Sequence, residues 1–596
     1  MSETKERNEI CEKYKWKLED IFASDSEWET AVSEVKALAE KFAARRGSVC
    51  KSADELLSAL RDMDKIGDAL LSVAVYACMR RDEDNTVTKY RAMSDRIGAV
   101  ESEISETCAF LEPELIAAGR EKISEFMAGN AELSEYTQFF DNLFREAEHI
   151  LDEKGEMLLA ASSPMGENAS DIFRAMNNAD IRFGKIKTED GEEELTHSKY
   201  ALFMESKDRE VRKAAFDAMY KQYESFKNTF AAMYSGSVKS DLFYAKARSF
   251  TSTIAMRLGD SNIAGEVYSS LVQDVNCGLD ALSGYLRLRK KLLGVDELHM
   301  YDLYVPLTDE DEENISYEEA CELVLSAVSP LGEQYVSDMR RAFSERWVDV
   351  YENRGKTPGA YSWGDNTKHP FVLMNYQGTI EDVFTLAHEM GHAMHSFYTN
   401  KTQPPVYRDY KIFVAEVAST VNENLLLEYL LRDAKGKRRA YLLVRKLEAI
   451  RTTFYRQTMF AEFEQAAHSM YMDGGALTAE SLSELYGEIN RKYYGSVAVC
   501  DPAISYEWAR IPHFYTSFYV YQYATGFAAA TRIKELVIND RNAASGYLEF
   551  LASGSSDYPL ELLKKAGVDL CDGSAIKSVI ADMKAATEEL ASVLDK

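Results

Sequence analysis

The chain has 596 residues, with 69 Lys+Arg against 98 Asp+Glu, for a formal charge of −29. Apolar residues at 46% exclude a disordered or low-complexity chain, and so acidic a surface repels phosphate backbones, which excludes nucleic acid as the main partner. The 31 glycines and 11 prolines make up about 7% of the chain against a usual 12% or so, so few helix breakers are present and a mostly α fold is expected.

The N-terminus, MSETKERNEICEKYKWKLED, lacks the apolar core of a signal peptide. The longest apolar stretch, 69–79, is too short to span a bilayer. Eight scattered cysteines with no C-x-x-C pair suit reduced, buried thiols. A cytoplasmic protein with no membrane association and no evident obligatory protein partner is expected. Residues 27–180 read as successive amphipathic helices, one of them opened by the capping pattern Ser52-x-x-Glu55. The acidic stretch 187–200 breaks that pattern, and its flanks IRFGKIK and EELTHS suit short strands. A boundary is expected there, between an N-terminal helical domain (1–195) and a larger C-terminal domain (196–596). Helical spacing returns at 205–295 and again after Ser316-x-x-Glu319. The segments GAYSWG (359–364) and PFVLMNY (370–376) are the best strand candidates, and helices resume at Thr379.

His388-Glu389-Met390-Gly391-His392 is an H-E-x-x-H motif inside that helix, behind the N-cap pattern Thr379-x-x-Asp382. Histidines at i and i+4 share one helical face, so both imidazoles can reach a single ion. Glu389 lies about 100° round the helix from His388. That direction suits a general base leaning over a metal-bound water better than a ligand. With nine histidines in the chain, composition alone predicts roughly one chance match per hundred such sequences. The surrounding residues therefore have to decide.

A catalytic zinc usually takes three protein ligands and keeps one position open. His395 and Tyr398 stand where the metzincin continuation needs Gly and His, which excludes that class. The other common third ligand is a Glu on a following helix. IFVAEVASTVNENLLLEYLL (412–431) reads as that helix, with Glu416 in its first turns and Glu423 two turns on along the same face. The neighbours of Glu416 are Val414, Ala415, Val417 and Ala418, so its face reads as buried, and a buried carboxylate needs a partner. The plain alternative is a solvated helix charge. His395 is the rival ligand and reads better as a core histidine. Gly391 costs about 1 kcal/mol in a helix, and a close approach by the Glu416 helix would compensate for it.

A second cluster, CDPAISYEWARIPHFYTSFYVYQYATG, crowds tyrosines around His513. For most of them an aromatic core is the better reading. His513, Tyr519 and Tyr523 stand out as donors able to hold an oxyanion, the tyrosines at i and i+4 on one helical face.

Together FTLAHEMGHAMHS, the AEVAST…NE continuation, GAYSWG…HPFVLMNY, IPHFYTSFYVYQYATG and the opening WKLEDIFASDSEW resemble the oligoendopeptidase F group of thimet-oligopeptidase-like zinc metallopeptidases. The resemblance implies one zinc held by His388, His392 and Glu416, with Glu389 as the catalytic glutamate. It matches His513, Tyr519 and Tyr523 to the family's transition-state donors. The thimet-type pattern has tyrosines where this chain has Phe518 and Gly526, so aligning on Tyr-x-x-Gln-Tyr needs one inserted residue. The implied fold is a multi-helix, bowl-like body with a small β-sheet beside the active-site helix and a deep substrate cleft, which restricts substrates to short unstructured peptides. GAYSWG would then be an edge strand that pairs with substrate.

The expected activity is zinc-dependent endopeptidase cleavage of oligopeptides. One alternative is a carboxypeptidase or dipeptidyl carboxypeptidase on the same core, with Arg408 or Arg510 holding the terminal carboxylate. The other is a non-catalytic peptide-binding protein, against which the intact Glu389 argues.

Overall fold

Trp16 and Trp28 show how the N-terminal helices close on one another. Both indoles are buried, Trp16 Nε1 donating to Glu83 (2.7 Å) and Trp28 Nε1 to the Val73 carbonyl (2.8 Å). Their large apolar faces are thus buried without leaving a donor unpaired. Around them the helices Asp25–Ala43, Ala53–Glu83 and Thr88–Cys108 pack through residues such as Val32, Leu56, Leu60 and Ile97. In this computed structural model, which describes residues 4–189, 191–308 and 313–595, they belong to the first of two compact units. That unit is built from Met1–Glu148, Glu312–Tyr429 and Ile533–Gly567.

The same unit holds the three-stranded sheet expected before the motif. Pro370–Leu373 is the central strand, parallel to Val348–Asp349 and antiparallel to Tyr361–Gly364. It is buried at every position, and Phe371 and Leu373 join the N-terminal core. An ion network ties the sheet down: Arg7 bridges Glu83 (2.8 Å) and Asp349 (2.6 Å), and Lys356 pairs with Asp349 (2.7 Å). Asp349 and Lys356 are fully buried, so neither charge tolerates loss of the other. Tyr361–Gly364 forms an outer edge with Trp363 exposed at 39%, and the sheet packs beside the motif helix.

The second unit comprises His149–Asp311, Leu430–Arg532 and Val568–Lys596. Among the described residues it is mostly helical, and its strands are the antiparallel pair Lys185–Thr188 and Gly191–Glu194 and a two-residue parallel bridge between Leu298–His299 and Ala498–Val499. One of its helical runs is broken by a wide turn: Gly436–Ala449 passes through a π-helical segment, Ile450–Tyr455, into Arg456–Met472. The mostly α architecture with small sheets is as composition predicts. None of the eight cysteines forms a disulfide; Cys50, Cys108 and Cys321 are buried, whereas Cys11, Cys277 and Cys571 stand at the surface, against the expectation of buried thiols. No helix among the described residues is long and apolar enough to cross a membrane.

Candidate metal centre

Thr379 opens the motif helix, Ile380–Thr402. Its Oγ1 accepts from the Asp382 N–H (3.2 Å) and its own N–H donates to the Asp382 carboxylate (2.9 Å), the reciprocal cap read from the sequence. Val383, Leu386, Ala387, Met390 and Met394 are buried, while His388 and His392 share a face one turn apart, their Nε2 atoms 3.2 Å from each other.

The next helix, Ile412–Asp433, crosses at Gly391. A Cβ there would stand 2.5 Å from Ser419 Cα and 2.7 Å from the Ala418 carbonyl oxygen. Both are backbone atoms that cannot rotate away, so only glycine permits this approach. Asn422 bolts the crossing, donating to the Ala387 carbonyl (3.1 Å) and accepting from the Tyr335 hydroxyl (3.1 Å).

The approach sets Glu416 Oε2 at 3.4 Å from His388 Nε2 and 3.5 Å from His392 Nε2. Donor atoms each about 2.0–2.1 Å from a tetrahedral zinc lie about 3.3–3.4 Å from one another. The three separations fit that geometry, and two imidazoles with one carboxylate leave the fourth position for water or substrate. Behind the triad, His388 Nδ1 donates to Glu423 Oε1 (2.6 Å), which orients the ring so that Nε2 faces Glu416. Burial disfavours a charged His388, yet its hydrogen bonds to Glu416 and Glu423 outweigh burial and raise its pKa to about 10. The same contacts, to His388 first and then His392, hold Glu416 well below the usual carboxylate range.

Glu389 is 7% exposed and outside the triad, and burial pushes its pKa up while the two histidines pull the other way. His395 is not part of this group. It is 1% exposed, stacks on Tyr410 at 3.8 Å, and burial drives its pKa down to about 3.

In the second unit, His513, Tyr519 and Tyr523 form a triangle of rings with centroids 6.2, 6.0 and 5.4 Å apart. The His513 side chain reaches solvent, and partial desolvation of its ring, followed by the nearby Arg456 charge, lowers its pKa. The other tyrosines pack: Tyr515 stacks on Phe173 (4.4 Å), Tyr521 lies against Tyr268 (5.1 Å), and Tyr506 bonds Glu224 (3.2 Å).

The helical phase expected for the pair needs correction. The helix begins only at Tyr521, so Tyr519 precedes it. The reason is Phe518, whose φ of +56° is left-handed, a conformation that costs a bulky residue. The buried Glu464 holds it there by accepting the Phe518 N–H (2.7 Å), while Arg257 Nε donates to Ser517 Oγ (2.9 Å). Glu464 carries no signal in the sequence, since it reads as one more helical glutamate. Glu423 was legible only as a residue in phase with Glu416.

Comparison with known proteins places this arrangement. The profile of peptidase family M3 matches residues 202–580, and the Oligopeptidase F profile matches 114–183. The chain belongs to peptidase family M3. Its relatives include oligopeptidase PepF of Bacillus subtilis, 43% identical over 99% of this chain and 89% of the relative. Group B oligopeptidase PepB of Streptococcus agalactiae is 41% identical over 99% of this chain and 98% of its own. Among solved structures, a Chlamydophila abortus protein superposes with a TM-score of 0.94 at 33% identity, covering 99% of this chain and 100% of that one. Oligoendopeptidase F from Enterococcus faecium superposes at 0.73 with 35% identity, covering 96% and 99%. As a family M3 member the chain is an enzyme, a peptidase of the metallo-oligopeptidase kind.

The crossing at Gly391 yields a prediction for this peptidase. Gly391→Ala gains about 1 kcal/mol of helix propensity but forces two backbones apart. A net loss of about 1–3 kcal/mol is expected, with weakened metal retention as Glu416 moves away. Thermal unfolding and metal analysis on the purified variant test this. Unchanged values for both would show that the crossing yields easily.

Proposed function

We propose that the chain is a zinc-dependent endopeptidase of short, unstructured oligopeptides. The observation that carries this reading is the convergence of His388 Nε2, His392 Nε2 and Glu416 Oε2 at 3.2–3.5 Å, with Glu389 buried beside them. His388, His392 and Glu416 would hold one zinc per chain. When bound, zinc supplies a Lewis acid for the scissile carbonyl and lowers the pKa of a water. Glu389 takes the proton of the attacking water on a carboxylate oxygen and hands it to the leaving amine. A carboxylate whose pKa burial has raised is suited to hold that proton between the two events.

His513, Tyr519 and Tyr523 are proposed to donate to the oxyanion, on the strength of the family resemblance and of their own clustering. A donor that acts mainly in the transition state lowers kcat and leaves KM nearly unchanged. Tyr519→Phe or Tyr523→Phe is therefore expected to cost about 10²–10³ in kcat, and Tyr521→Phe, buried on Tyr268, to remain near wild type. Steady-state kinetics on the three variants, each with metal content verified, makes the comparison. Equal, near-wild-type kcat in all three would assign these tyrosines to packing alone.

The exopeptidase alternative needs a cation for the terminal carboxylate. Arg408 already pairs with Asp68 (2.9 Å) and donates to the Gln403 carbonyl (3.1 Å), and Arg510 pairs with Glu507 (3.1 Å). Internal cleavage of an oligopeptide blocked at both ends is the expected result, and a strict requirement for a free C-terminus would favour the alternative.

A further inference from the structure

Phe518 keeps its left-handed backbone although its side chain is bulky and buried. Residues in such a conformation persist only where their surroundings over-determine them, and they cluster at functional sites. Two anchors act here, on consecutive residues of the second unit. Glu464, fully buried in the helix Arg456–Met472, accepts the Phe518 N–H (2.7 Å). Arg257 Nε donates to Ser517 Oγ (2.9 Å), and Asp241 in turn pairs with the Arg257 guanidinium (3.1 Å). The Phe518 ring is fixed as well, lying against His468 (4.8 Å) and Tyr268 (5.7 Å).

These restraints end where Tyr519 begins. Tyr519 stands between the buried Phe518 and the buried Val520, two residues ahead of the helix Tyr521–Asn539. The left-handed residue therefore sets the direction in which the Tyr519 side chain leaves the backbone. In that direction its ring lies beside Tyr523 (5.4 Å) and His513 (6.2 Å).

Glu464 serves as an acceptor and not as a charge. Its Oε2 is buried without a partner among the described residues, a state that native structures rarely keep without a use. Burial pushes its pKa well above the usual carboxylate range, although the Phe518 N–H opposes the shift. A neutral acid there still accepts one N–H through its carbonyl oxygen.

We propose that Glu464, with Ser517 as a second anchor, is a positioning residue that sets the Tyr519 hydroxyl for its role as oxyanion donor. The proposal rests on the reading of Tyr519 as such a donor. Glu464 reaches no solvent, so it acts only through the backbone that it holds.

The test is steady-state kinetics on an oligopeptide with Glu464→Leu and Glu464→Gln. Each is made in the wild-type chain and in the Tyr519→Phe chain, with metal content verified. Leucine fills the space without an acceptor, whereas glutamine keeps a carbonyl oxygen for the Phe518 N–H. Glu464→Leu is expected to lower kcat about 10–100-fold with KM within about twofold, the effect of a donor moved by about 1 Å. Glu464→Gln should stay within about threefold of wild type, since the hydrogen bond survives. In the Tyr519→Phe chain, Glu464→Leu should change kcat by less than about threefold, because the group that it positions is already gone. If Glu464→Leu does not fold, Ser517→Ala carries the same comparison, with a kcat loss of about threefold or more in the wild-type chain alone. Unchanged kcat in the folded variant, an equal loss in both chains, or a loss in Glu464→Gln as large as in Glu464→Leu would overturn the proposal and leave the donor reading standing. Near-wild-type kcat in Tyr519→Phe itself would overturn the donor reading and this proposal with it.

Discussion

A Glu389→Gln protein is expected to keep its fold and its metal and to lose peptide hydrolysis by about 10³-fold or more. The substitution preserves shape in a buried site, so packing is unchanged, but an amide cannot accept the water's proton. Glu389 lies beside the three converging donor atoms without being one of them, so metal content should stay at wild-type level. The measurement is kcat on a fluorogenic oligopeptide together with metal content on the same preparation. Near-normal turnover by a metal-loaded variant would end the general-base assignment.

The second large effect falls on the metal. Glu416→Ala and His392→Ala should each empty the site, because each removes one of the three proposed protein ligands. Glu423→Ala should act more mildly, at about 10–100-fold in affinity, since it only frees His388 Nδ1 to reorient. His395→Ala, deep in an aromatic stack, should keep its zinc. Metal analysis across the four variants separates these grades. Full zinc in Glu416→Ala with an empty His395→Ala would identify a different third ligand.

What could be read from the sequence tracks the range of the interactions. His388 and His392 are related by helical spacing alone, and the cap at Thr379 is four residues long, so both are legible locally. Glu416 needed one further step, the inference that two consecutive apolar helices pack on each other. Gly391 supports that inference, because the contact it relieves is with Ser419 and Ala418 of that second helix. The phase of Tyr519 departs from helical spacing because that spacing does not run through Phe518. That residue's left-handed backbone is held by Glu464, 54 positions away. No local pattern encodes such a restraint. The interleaving of the two units, each made of three segments, is likewise a product of long-range packing.

The central claim is that His388, His392 and Glu416 hold a zinc on which peptide hydrolysis depends. Its most direct test is hydrolysis of an oligopeptide blocked at both ends, followed before chelation, after chelation and dialysis, and after one equivalent of zinc is returned. The account predicts internal cleavage that chelation abolishes and a single equivalent restores. Cleavage that survives removal of the metal, or a metal-free protein that one equivalent of zinc fails to reactivate while its fold is intact, would contradict it.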